Sequence, residues 1–153
     1  MSDNGLGPIF ADTFVYTTNG TTDTYTMQPS LLAFNFPHGT AIAAVQLSIT
    51  QQLMIPQVTE DLMSYITNNY HDTTMILFLW INALSPIATY PNRQAYLGQL
   101  ETWLTSCAVC LSTTIAAINA ASTAAQALAV TPNYASISAN PNVTLWGALA
   151  ISN

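Results

Sequence analysis

Charge is the scarcest feature of this chain. Eight of its 153 residues are formally charged, seven acids and one base, where an ordinary soluble domain commits about a quarter of its positions. The acids are Asp3, Asp12, Asp23, Glu60, Asp61, Asp72 and Glu101, the base is Arg93, and the net charge is −6. One Arg and two histidines cannot neutralise the several phosphates on which nucleic-acid affinity depends, so no direct nucleic-acid partner is expected. General acid–base catalysis lacks material for the same reason.

Other absences narrow the field further. No G-x-S-x-G, phosphate loop, G-x-G-x-x-G, H-E-x-x-H or calcium loop occurs, so the expectation is no catalytic residue, no cofactor, no metal site and no small-molecule substrate. Zinc would need His38 and His71 to join Cys107 and Cys110 at no recognised spacing. Cys107-Ala-Val-Cys110 has the C-x-x-C form, but a redox site places its first Cys at a helix N-terminus, and these lie mid-helix. They read as core thiols. His71-Asp72 is not a dyad, because adjacent residues point apart; turn and cap roles suit it better. The start, MSDNGLGPIF, has no basic or apolar region and no cleavage site, so it does not read as a secretory signal. Asn19-Gly-Thr21 and Asn142-Val-Thr144 are glycosylation patterns of low specificity. The most apolar run, Met75 to Ile81, is interrupted by Asn82 and Pro86, short of the roughly 20 residues that span a bilayer. It reads as a buried helix, with lipid contact as the alternative.

What fills the space is neutral polarity. Hydrophobic residues make up 50% of the chain, and Thr, Asn, Ser and Gln take 52 positions. Residues 24–59 hold no acid, Lys or Arg, and none follows Glu101, so both stretches are expected to be indifferent to acid. A surface with so little charge is permissive for packing against copies of itself.

Residues 13–27 carry the clearest local signal. Asn19-Gly20 between arms rich in β-branched and aromatic residues predicts a hairpin with a type I′ turn. A two-residue loop would set Thr18 opposite Thr21, Tyr16 opposite Asp23 and Phe14 opposite Tyr25, making one face aromatic and the other mostly threonine. Pro29, Pro37 and Gly39 break up the next segment. Residues 40–55 fit either a helical stripe, through Ile42, Val45, Ile49 and Leu53, or an alternating strand, with length and alanine favouring helix. Pro56 is expected to end that element. Thr59, followed by Glu60 and Asp61, reads as the N-cap of a helix to about Tyr70, and Asp72 or Thr73 as the cap of another to Leu84.

The longest element is predicted from Asn92 to Pro132, about 55 Å of helix. Leu97, Leu100, Leu104, Cys107, Leu111, Thr114, Ile118, Ala121, Ala125 and Leu128 recur at steps of three and four. That seam suits a bundle core or an intersubunit contact. Its alanine-rich end, residues 115–130, is expected to meet another helix closely. Arg93 stands where the helix dipole disfavours it, so a carboxylate such as Glu101 or Asp72, or a subunit contact, is expected nearby. The tail brings Trp146, Leu149 and Ile151 to a terminus that should pack on its own core or on a neighbour.

Together these readings predict a mainly α single domain, residues 1–153. It would comprise a β-hairpin arm (1–39), a helical bundle around the long helix (40–130) and an apolar C-terminal arm (131–153). The expected function is structural: a self-assembling coat or capsid component of a virion or extracellular assembly, for which an acidic hot habitat would be a fitting setting. Its expected partners are copies of itself and other structural subunits. Candidate assembly contacts are Phe14, Tyr16, Tyr25, Ile118, Ala121, Ala125, Leu128, Trp146, Leu149 and Ile151. The alternatives are a membrane-active helical protein, such as a pore former or lysis factor, and a small-molecule binding module. Contacts built from Thr, Asn, Ser and Gln keep their hydrogen bonds while carboxylates titrate. Assembled material should therefore survive between about pH 3 and 5; a sharp fall in light scattering there would show that charges govern the contacts.

Overall fold

The hairpin forms where Asn19-Gly20 signals it, from β1 (Thr13–Thr18) and β2 (Thr22–Gln28). A third strand, β3 (Ala33–Pro37), adds to β2, and the antiparallel order is β1-β2-β3. The computed structural model describes residues 13–28, 30–69 and 91–139. The segments expected around His71, Asp72 and Met75–Ile81, and the contacts Trp146, Leu149 and Ile151, lie outside the described residues, as do the side chains of Arg93 and Leu97.

The register differs from the expected one: Thr18 faces Asp23, Tyr16 faces Tyr25 and Phe14 faces Met27. Asn19 is the cause. Its Oδ1 accepts from the N–H groups of Thr21 and Thr22 at 2.9 and 2.8 Å, while its own N–H donates to the Thr22 carbonyl at 3.2 Å. Positive φ falls on Gly20 alone, at 84°, the pattern of a II′ connection centred on Gly20-Thr21. Sliding the pairing by an even number of residues keeps every side chain on its face. The aromatic face and the threonine face therefore survive the correction.

β3 was hidden behind its turn. Leu31 takes φ 58°, a left-handed conformation ordinarily left to Gly or Asn, and its N–H donates to the Met27 carbonyl at 2.8 Å. Phe34 and Phe36 then alternate onto the aromatic face. That face packs on Val45, Ile49 and Leu53 of α1 (Ile42–Asn69). Tyr25 sits at its centre, with ring centroids 5.3 Å from Tyr16 and 6.0 Å from Phe36.

α1 runs straight through Pro56, so Pro56 does not end it, and Thr59, Glu60 and Asp61 lie mid-helix instead of at a cap. The proline costs the bond to the carbonyl four residues earlier. Burial on both flanks offsets that loss, through Val45 and Ile49 before it and Val58 and Leu62 after it. α2 (Pro91–Ala120) ends well short of Pro132. The chain breaks at residues 121–123 and restarts as α3 (Ala124–Leu128), where the Thr123 hydroxyl accepts from the Gln126 N–H at 3.2 Å and Gln126 Oε1 accepts from the Ser122 N–H at 2.9 Å. This is close to a capping box. The predicted seam holds for Leu100, Cys107, Thr114 and Ile118, which are buried, and changes phase after the break, where Ala127 is buried and Ala125 and Leu128 are exposed.

Two compact units result. One takes in the described residues up to Gln57 with Ile115–Thr131; the other takes in Val58–Thr114 with the described residues from Pro132. The first is the sheet on α1, with the end of α2 and α3. Gln51 Nε2 donates to the carbonyls of Ile118 and Asn119 at 3.0 and 3.3 Å, supplying a side chain to carbonyls that a helix C-terminus leaves open. The second is built on Leu62, Leu100, Trp103 and Cys107. Its segment 132–139 folds back onto that core, with Tyr134 stacked on Tyr65 at 4.6 Å and Ile137 packed beside it. The expected mainly α helical bundle is therefore replaced by an α+β arrangement, because a three-stranded sheet with one aromatic face needs a helix to cover it.

Pro56→Ala should restore a helix hydrogen bond and raise stability by about 1–3 kcal/mol in chemical denaturation. Trp103→Ala should lower it by about 3–5 kcal/mol.

Candidate functional site

Asp23 is the one buried ionisable acid among the described residues, its side chain 8% exposed. A carboxylate so placed must be paired or hydrogen-bonded. β2 is the central strand, and it turns Asp23 to the same face as Tyr25. The turn after β3 is closed by the Thr40 N–H and Oγ1 on the Pro37 carbonyl, at 3.1 and 2.6 Å. Gly39 takes φ 82° there, which frees its N–H to donate to Asp23 Oδ2 at 3.2 Å. His38 Nδ1 lies 2.9 Å from Asp23 Oδ1, and the Tyr16 O–H donates to the same oxygen at 3.0 Å.

These donors decide the electrostatics. The His38 hydrogen bond, aided by Thr18, Tyr16 and the Gly39 N–H, holds the Asp23 carboxyl down at about 2 despite burial, which acts the other way. In return the hydrogen bond to Asp23 raises the Tyr16 hydroxyl above its ordinary range. The carboxylate stays ionised and the tyrosine stays protonated. Every donor is spent on holding one anion, so the cluster acts as a clasp between the β3–α1 turn and the hairpin, not as an acid–base pair. The stretch 24–59 is thus tied through His38 to a titrating group, contrary to its expected indifference to acid.

An open groove of about 500 Å³ is lined by Glu101, Thr102, Thr105, Ser106, Val109 and Ser136. Ser106 Oγ donates to the Trp103 carbonyl at 2.7 Å and accepts from the Ser138 N–H at 3.0 Å. Among the described residues Glu101 is its single ionisable lining side chain. Cys107 and Cys110 are free and buried. Burial pushes the Cys107 thiol up, away from the reactive thiolate. Among the described residues no three His, Cys, Asp or Glu are grouped to hold a metal.

The candidate contacts fall into two sets. Tyr25 and Ile118 are buried by the chain itself, while Phe14, Tyr16 and Ala121 are half-buried, the first two at the margin of the sheet's aromatic cluster. Ala125 and Leu128 are exposed. Sequence reasoning missed the exposed Leu31 and Leu32 at the β2–β3 turn, 68% and 46% accessible, because Pro29 reads as a break with no strand placed beyond it. It also missed His38 as the partner of Asp23, since fifteen residues separate them and no local pattern joins them.

Asp23 is held below its ordinary value of 3.8, at about 2. Its contribution to stability is therefore fully present above the ordinary value and is lost as pH falls through about 2. His38→Gln removes the largest cause, so the variant's carboxyl lies nearer its ordinary value and contributes less stability to be lost. Thermal melts from pH 2 to 6 should show the variant below the wild type at pH 5 to 6, with the gap narrowing toward pH 2 because the wild type loses more.

Comparison with known proteins found no match, whether among family models, curated proteins or solved structures.

Proposed function

We propose that the chain is a self-assembling structural protein, a coat or capsid component of a virion, whose copies and companion subunits meet through neutral surfaces. The observation that carries this reading is the exposed side of α2 beyond Glu101. It is made of Thr, Ser, Ala, Val and Asn, with Val109 57% accessible and no ionisable side chain. Small residues let another backbone approach closely, and hydrogen bonds between neutral groups persist in acid. An acidic extracellular setting suits such contacts. The clasp at Asp23 suits it as well, since its carboxylate stays ionised to about pH 2.

A second reading has one observation in its favour. Gly98–Ala120 spans 23 residues and holds an 18-residue window of mean hydropathy 1.4, 28% of it buried, long and apolar enough to cross a bilayer. A membrane-active protein would use that helix. Negative-stain microscopy and liposome flotation of the full chain separate the two. Ordered shells or filaments that stay with the protein fraction are the expected outcome. Monomers floating with lipid, and no ordered particles, would replace the structural reading with the membrane one.

A further inference from the structure

We infer that β1 is a self-pairing edge, and that two copies of this chain join β1 to β1 antiparallel about a two-fold axis at Tyr16. The inference rests on the self-assembly reading and names its contact. Among the described residues β1 pairs with β2 alone. The Asn19 N–H bonds the Thr22 carbonyl, and antiparallel bonding alternates along a strand. Thr17 and Val15 therefore exchange hydrogen bonds with Thr24 and Thr26 of β2. The N–H and C=O groups of Phe14, Tyr16 and Thr18 are turned away from the sheet. The Met27 N–H bond to Leu32 and the His38 N–H bond to Thr21 give β2 the complementary alternation toward β3.

A row of outward backbone groups accepts one kind of partner, an extended strand. Native sheets usually blunt such an edge with Lys, Pro or an inward charge. β3 ends in Pro37, but β1, Thr-Phe-Val-Tyr-Thr-Thr, carries no charge, proline or glycine. The choice of a second copy follows from charge and register. Nothing on β1 repels its own image, and among the described residues the nearest acid, Asp23, is on β2 and engaged by His38. With the axis at Tyr16, Phe14 faces the second copy's Thr18 and Tyr16 faces Tyr16. Every outward group of the strand then finds a partner within the strand. The aromatic row of Tyr25, Phe34 and Phe36 continues across the junction on one face. On the other, Val15 stands opposite the second copy's Thr17 at a non-hydrogen-bonded position, where side chains come closest.

Val15 and Thr17 are exposed, so charges placed there act on the pairing and leave the fold intact. The test is sedimentation velocity on the full-length chain over a range of concentration, with melting curves as a folding control. Val15→Lys/Thr17→Lys sets lysine against lysine across the axis and should weaken association at least tenfold. Val15→Lys/Thr17→Glu sets lysine against glutamate and should restore it. Amide hydrogens of Phe14, Tyr16 and Thr18 should exchange fast in dilute monomer and slowly in the assembly. Association unchanged by the double lysine variant, or no rescue by the lysine–glutamate variant, would overturn the β1 junction while leaving self-assembly standing. Protection of those amides in the monomer would overturn it too, by showing that the chain covers its own edge. A wild-type chain that stays monomeric at every concentration would remove the self-assembly reading itself.

Discussion

With a single basic residue, this chain cannot satisfy buried polar groups by ion pairing, and its structure follows from having to do so with neutral hydrogen bonds. Thr50 and Thr114 are buried in helices and donate to the carbonyls four residues back, at 2.8 and 2.7 Å. Asn19 organises the hairpin turn, Gln51 closes the end of α2, Thr123 and Gln126 restart the helix, and Ser106 holds Ser138. Each bond is worth about 1 kcal/mol net. Their value here lies in giving buried hydroxyls such as those of Thr50 and Thr114 an acceptor inside an apolar core.

Asp23 is the exception. A carboxylate turned into the aromatic face of a sheet is tolerable because a tyrosine, a histidine and a backbone N–H converge on it, and the glycine that supplies the N–H must adopt a left-handed backbone to do so. Burial and hydrogen bonding oppose each other at this group, and hydrogen bonding wins, since the carboxyl lies well below its ordinary value. The one charge buried among the described residues therefore anchors the turn between the sheet and α1, and its titration reaches a stretch that otherwise has no acid.

Asn19-Gly20 announces a turn, yet which residue takes the left-handed backbone depends on what the Asn side chain can reach, and that moved the register. Pro56 and the alanine-rich stretch were each judged by local preference, and burial of the flanking residues overrode the first. At the second, the cap of Thr123 with Gln126 interrupts the apolar period and restarts the helix in a new phase. Pro29 marks a break, but a leucine in a left-handed turn is not a residue that composition signals, so the alternation of Phe34 and Phe36 carries no hint of a return to the same sheet.

What the sequence by itself determined is what alternation and composition control: the hairpin with its aromatic and threonine faces, the buried stripe of α2 from Leu100 to Ile118, the core position of the two cysteines, and the neutrality of the surface. These depend on residue type at fixed spacing, which needs no knowledge of distant partners. Only the tertiary structure decided that α1 would pass through its proline, that a third strand would join the sheet, and that His38 would meet Asp23 across fifteen residues. Those outcomes are settled by contacts between segments remote in the chain, whose burial outweighs local preferences of a few kcal/mol.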